Sequence, residues 1–352
     1  MRDRLESPRL SLRERERRWA AVRRAMRERG LECLVLFGSP SNWDFTVANA
    51  RYLAPIGGNA AFNVLVFPLE GEPTSFVFRP TFVEYWKRAQ DWVVDVRARK
   101  GPWAQSVASR LKELGLEKAA IGLDGLAGPL DPDGWLPHSA YAGLRELRPS
   151  AQLVNTDDML ERLRSIKNTE EIQVLEQAAR LGDLMLAACR ERARPSVREC
   201  EVYGKMMEVM LANGGEEPTL FLWAADASPF PHPFRLPTMR PLARGDLIIC
   251  EIHPKYGGYF THVERTFSLG GARSRVPEDL RGLSGGLRDG AGILPAGPED
   301  HRGDERCEGC HHRPGPRHVR DRDPRPRPGL AGVSALPPPR PRGGREGAAF
   351  HR

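Results

Sequence analysis

Two runs of sequence decide how this chain is read. They are Arg244-Gly245-Asp246-Leu247-Ile248-Ile249-Cys250-Glu251-Ile252-His253 and Tyr259-Phe260-Thr261-His262-Val263-Glu264-Arg265-Thr266-Phe267-Ser268-Leu269, joined through Tyr256-Gly257-Gly258. The first is nearly all apolar through Leu247–Cys250 and predicts a buried strand over Asp246–His253. The Gly-Gly turn leads into a second strand over Tyr259–Leu269, so the pair is expected to be antiparallel.

Upstream, Asn168 with Glu171 spells a capping box and opens a long helix with Ile172, Leu175, Ala179 and Leu186 along one side. Pro195 should end it. Ser196 with Glu199 is read as the cap of a second helix carrying Val202, Met206, Val209 and Met210, which stops at Asn213-Gly214-Gly215. Met206, Met207 and Met210 read as core.

Nearer the start, Ser11 with Glu14 caps a helix along Trp19, Val22 and Met26, stopped by Gly30. Leu31–Phe37 reads as a buried strand, and Ala61–Phe67 with Thr74–Phe78 as a hairpin around Glu70-Gly71-Glu72-Pro73. Trp92–Val96 is a further strand, Ser106–Leu114 a helix, and Ala119–Leu123 another strand. This alternation predicts an α/β domain. No G-x-G-x-x-G stands at a strand-to-helix turn, so no dinucleotide site is predicted.

The two-strand stretch, Pro231-His232-Pro233 before it, and Arg164-Ser165-Ile166-Lys167-Asn168-Thr169-Glu170-Glu171-Ile172 together resemble the creatinase/aminopeptidase P family, peptidase family M24, over roughly residues 10–275. The resemblance implies an α/β N-terminal creatinase-like domain followed by an incomplete α+β pita-bread domain. The expected boundaries are 1–155 for the first, 156–280 for the first half of the pita-bread domain, and 281–352 for a disordered tail. It further implies a hydrolase acting on a small-molecule or short-peptide substrate, commonly as a homodimer.

Most members of that family are two-metal peptidases, using divalent ions such as Mn, Zn, Fe or Co. Two cations about 3.5–4 Å apart share carboxylate ligands and activate a water between them. In this chain Glu251 and His262 occupy the family's two Asp ligand positions. A neutral imidazole offers one lone pair to one metal and cannot bridge two. The usual dinuclear site is therefore not expected. The metal-free branch, typified by creatinase, keeps a His before the Gly-Asp strand and a Glu in a Tyr-Thr-x-x-Glu-Arg-Thr run. By that resemblance His232 is the general acid/base, and Glu264, with Arg265 beside it, binds a cationic substrate group. Creatine itself is not expected, because Tyr52–Val66 contains no Arg where that branch places a carboxylate anchor. The residues also admit plainer readings: Glu264 and Arg265 as an ordinary ion pair, and His253 and His262 as solvated or core-satisfied residues near a turn.

Three functions stay open at this stage. They are a metal-free C–N hydrolase working through His232 and Glu264, a pseudo-peptidase kept for binding or dimerisation, and a metal-dependent Xaa-Pro aminopeptidase. Composition removes others. With 40% apolar and 28% charged residues and no apolar run of transmembrane length, membrane partners are not expected. The net charge of +7 is a local matter: residues 273–352 hold 16 Arg and no Lys against 11 acidic groups, and the remainder is nearly balanced. Nucleic-acid binding is not indicated. Met1–Arg24 has no apolar core of a signal peptide, and four cysteines stand isolated, so a cytoplasmic location is expected.

From Arg273 onward Lys, Asn, Gln, Thr, Met, Tyr and Trp are all absent, while Arg, Pro, Gly and Ala are enriched. That bias matches GC-rich coding sequence read in a shifted frame, and the chain is expected to be catalytically dead or nearly so for want of the second half of the domain. Cys307-Glu308-Gly309-Cys310-His311, followed by His312, spells a haem or zinc pattern in this stretch and is read as chance.

Overall fold

A computed structural model describes residues 9–39, 45–58, 62–127, 134–218, 221–226 and 235–270. His232, the region 281–352 and the Cys307–His312 pattern lie outside these residues. No helix among the described residues is long and apolar enough to cross a membrane.

The first part is a mixed sheet between helices. In chain order it runs α1 (Leu12–Glu28), β1 (Cys33–Gly38), α2 (Phe45–Leu53), β2 (Asn63–Pro68), β3 (Thr74–Val77), α3 (Thr81–Ala89), β4 (Asp95–Ala98), α4 (Trp103–Glu113), β5 (Ala120–Leu123), α5 (His138–Leu147), β6 (Gln152–Asn155) and α6 (Asp157–Ser165). The strands lie in the order β4-β3-β2-β1-β5-β6, with β1 antiparallel to β2 and parallel to β5. β1 is central and buried along its whole length, which explains its unbroken apolar run. Its Leu34 and Leu36 face a core with Trp19, Met26 and Trp92, while Cys33, Val35 and Phe37 face a second core with Val107, Leu111 and Leu144. Met159 and Leu160 of α6 belong to the first of these cores. The strand expected at Trp92–Val96 starts later, at Asp95: Trp92 and Val93 are core residues in a bend, tied by Gln90, whose side-chain oxygen accepts from both of their amides.

The second part comprises α7 (Thr169–Arg192), α8 (Glu199–Ala212), β7 (Phe221–Asp226), β8 (Leu247–Ile252), the short strands β9 (Lys255–Tyr256) and β10 (Tyr259–Phe260), and β11 (Val263–Ser268). β8 is the middle strand of an antiparallel sheet, β11-β8-β7. Its even-numbered residues Ile248, Cys250 and Ile252 join Met185, Met206, Met210 and Trp223 in a third core beneath the two helices. Its odd-numbered residues Leu247, Ile249 and Glu251 therefore face the other way.

Several sequence expectations change here. The expected strand over Tyr259–Leu269 is interrupted at Thr261 and His262, beyond which the hairpin continues in the same register as the short strands β9 and β10. Asn168 and Glu171 do form the capping box. However, α7 buries Ala178, Leu181, Met185, Ala188 and Cys189 rather than the expected side, and Ile172 is exposed. Burial of the Glu171 carboxylate and close contact of Gly182 with Pro254 set this rotation; a Cβ at Gly182 would lie 3.1 Å from the Pro254 ring. Ser196 does not cap α8. The N-cap is Arg198, and Glu199 instead accepts from Arg235, Arg240 and the Thr238 amide. These partners outweigh burial and hold the Glu199 carboxyl down to about 2.

One buried guanidinium joins the two parts. Arg18 donates to Glu14 Oε1 at 2.6 Å, to the Tyr52 carbonyl at 3.0 Å and to Tyr259 Oη at 2.6 Å, and lies 3.1 Å from Glu171 Oε1. Tyr259 Oη in turn donates to Glu171 at 2.8 Å, and Asn168 donates to Glu14. Glu14, Arg18 and Glu171 are all 1% exposed. A second clamp sits beside it: Arg51 binds Glu216 in bidentate fashion at 2.8 and 3.2 Å, and Glu216 accepts the Gly258 amide at 2.7 Å.

Removing Arg18 should leave two buried carboxylates short of a counter-charge. Arg18→Met is expected to cost about 3 kcal/mol, as for other broken buried pairs, read from urea unfolding. A loss below about 1 kcal/mol would show that Arg17 and water compensate.

Asp124 offers a pH test of the first part. Burial and the neighbouring Asp157 raise its pKa well above the ordinary carboxyl value, against the pull of Asn49 and Arg164. Asn49 donates to its Oδ1 and accepts from Arg164, and its Oδ2 has no hydrogen-bond partner among the described residues. An acid with a raised folded pKa favours folding less as pH rises from the unfolded carboxyl range, because the unfolded chain releases its proton first. Asp124→Asn should match the wild type in melting temperature near pH 4 and exceed it at pH 7–8. A variant less stable at the higher pH would show that the charge is needed.

Candidate functional site

Strand register gathers the candidate residues. Glu251 stands opposite Glu264 across the β8–β11 pair, and Ile252 opposite Val263. Directly opposed residues share a face and successive ones alternate. Glu251 and Glu264 thus sit on the face turned away from the helices. One step further along the same register, His253 and His262 stand at the neck of the β9–β10 hairpin, where the Thr261 amide donates to the Pro254 carbonyl at 3.2 Å. The hairpin is held at its far end by Arg51, Glu216 and Arg18, so its neck is fixed from both sides.

At the neck both imidazoles address one carboxylate oxygen. His262 Nε2 is 3.1 Å and His253 Nε2 is 3.4 Å from Glu251 Oε1. The two rings are 4.6 Å apart between centroids, and His253 is also stacked on Phe260 at 5.7 Å. His253 is nearly buried, Glu251 is half-buried and His262 is open to solvent. Burial pushes the His253 pKa down; Glu251 opposes this and His262 adds to it. One ligand atom from each of Glu251, His253 and His262 lies within 4.8 Å of the others.

Of the residues read from sequence, Glu251 and His262 are brought together, and Glu264 lies beside them on the same face. His253, which sequence reading left as a residue near a turn, is the third member. The signal was present: two His bracketing a Gly-Gly turn fall opposite one another when the strand register is continued. Arg265 does not pair with the Glu264 carboxylate; its Nη1 donates to the Glu264 carbonyl at 2.7 Å, and both side chains are exposed. Elsewhere, Cys33, Cys189 and Cys250 are buried free thiols, as isolated cysteines suggested, and Cys200 is partly exposed.

Solved prolidase structures share this fold. The Xaa-Pro dipeptidase structure from Bacillus anthracis superposes with a TM-score of 0.63 at 22% identity, covering 81% of this chain and 73% of that one. The Creatinase/Prolidase N-terminal domain profile matches residues 18–166, and that of Metallopeptidase family M24 matches residues 173–281. The chain belongs to the M24 creatinase/aminopeptidase P family. Among curated relatives, the Xaa-Pro dipeptidase of Pyrococcus furiosus is 27% identical over 42% of this chain and 42% of its own length. Creatinase from a Bacillus species is 25% identical over 52% of this chain and 44% of its own. The matched region thus spans less than half the length of either of these two relatives.

The family's metal chemistry can be tested against these donors. A dinuclear centre needs carboxylates that bridge. Among the described residues the gathered set holds one carboxylate and two imidazoles, and the Glu264 carboxylate is not drawn into it. This set does not fit two bridged cations.

Proposed function

We propose that this protein is of M24 hydrolase lineage, built for a C–N bond in a small substrate, a Xaa-Pro peptide or an amidine-type compound, and that the 352-residue chain itself is catalytically dead or nearly so. Glu264 holds the substrate's cationic group, and His232 serves the scissile bond as general acid/base. The observation that supports this is the facing pair Glu251 and Glu264 on the open side of the sheet. Like charges placed directly opposite one another on a sheet repel, and a cationic guest relieves that repulsion. A substrate ammonium or amidinium is such a guest, and it makes charge-assisted hydrogen bonds to the carboxylate. The dipeptidase and creatinase relatives carry names in keeping with both substrate types.

Binding tests the role of Glu264 separately from the chemical step. Calorimetric titration of the purified 352-residue protein with Xaa-Pro dipeptides and guanidino compounds should show saturable binding. Glu264→Gln removes the charge at nearly constant volume. It should weaken that binding by about 1–3 kcal/mol, the scale of a hydrogen bond to a charged group, with a melting temperature no lower than that of the wild type, since the repulsion from Glu251 is removed. An N-acylated, uncharged analogue should not distinguish variant from wild type. Equal affinity of both proteins for the cationic ligands would return Glu264 to an ordinary surface role. Release of the cleaved amine or imino acid by the 352-residue chain is expected to be absent or nearly so, and measurable turnover would contradict that expectation.

A further inference from the structure

The disagreement between the family's two-metal chemistry and the donors at the hairpin neck points to a different kind of site. We infer that Glu251, His253 and His262 form a mononuclear site for a borderline divalent cation such as Zn²⁺ or Co²⁺. It goes beyond the hydrolase reading and needs neither Glu264 nor a substrate.

Distances carry the inference. Zinc binds imidazole nitrogen and carboxylate oxygen at about 2.0–2.1 Å, which in a tetrahedron sets neighbouring donors roughly 3.3 Å apart. The two separations to Glu251 Oε1 are 3.1 and 3.4 Å, so two edges of such a polyhedron already exist in the protein. The third edge, between the imidazoles, is within 4.8 Å. Closing it asks for a rotation of His262, which is 58% exposed and free of core packing.

Donor type selects the ion. Two imidazoles and one carboxylate favour Zn, Co, Ni or Cu over Mg or Ca, which prefer all-oxygen sets. Three protein donors leave a position for water, and the exposed side of His262 gives the ion a way in. The neck also rests on a held scaffold. His253 is stacked on Phe260, and the hairpin is clamped by Arg51 with Glu216 and by Arg18 with Tyr259.

The test uses the 352-residue protein stripped with chelator and titrated with Co²⁺ and then Zn²⁺, followed by calorimetry and by the visible absorption of bound Co²⁺. Because Cys307, Cys310, His311 and His312 offer a competing donor set, the titration is repeated on a Cys307→Ser/Cys310→Ser variant. One equivalent per chain should persist in that variant, and binding should weaken at least about 100-fold in His253→Ala and in His262→Gln, on the scale that metal-site changes produce. Circular dichroism and melting of the metal-free variants establish that each is folded; the exposed His262 makes its variant the safer of the two. An equivalent that survives in His253→Ala and His262→Gln but vanishes in the cysteine variant overturns the inference. So does a second equivalent in the cysteine variant, or the absence of binding in the wild type, which would leave the histidines as hydrogen-bond partners of Glu251.

Discussion

The Arg18 guanidinium is the contact on which the arrangement of the site depends. It is buried where an unpaired charge would be prohibitively costly, and it is compensated by Glu14 and Glu171, one from each part of the chain, with Tyr259 and the Tyr52 carbonyl completing its partners. Asn168, the cap of α7, donates to Glu14, so the start of that helix is tied into the same cluster. Tyr259 lies in the hairpin between β8 and β11, and the Gly258 amide beside it is held by Glu216. A hairpin held at its tip and paired at its base has little freedom at the neck. The relative placement of His253 and His262 follows from that constraint.

Electrostatics on the open face then has a consistent direction. Glu251 and Glu264 oppose one another across the strands, while the helix-side face of β8 is apolar and fully buried. The side facing outward can accept positive charge, and the two imidazoles supply lone pairs next to it. A cation, whether an ion or the charged end of a substrate, completes this face. One carboxylate and two imidazoles gathered at the neck are a donor set for a single centre rather than for two bridged ones, in line with the proposed mononuclear site.

Much of the fold was legible because its determinants are local. Asn168 and Glu171 cap their helix reciprocally, the apolar run of β1 reflects burial on both faces, and the Gly-Gly turn marks the hairpin. What was not legible depends on partners distant in sequence. The buried side of α7 is turned because Glu171 must meet Arg18, some 150 residues away. Glu199 gives up capping because Arg235 and Arg240 claim its carboxylate. His253 escaped notice because its relation to His262 appears only when the pairing is counted back from the Gly-Gly turn along both strands. Glu251 and His262 were singled out through resemblance alone; that His262 Nε2 lies 3.1 Å from Glu251 Oε1 required coordinates.

X-ray absorption at the metal edge of the zinc- or cobalt-loaded protein tests the single-cation site most directly. The expected spectrum has a first shell of nitrogen and oxygen only, outer-shell scattering from two imidazoles, and no metal neighbour at about 3.5–4 Å. Sulfur in the first shell, or a second metal at that distance, would contradict the assignment of Glu251, His253 and His262.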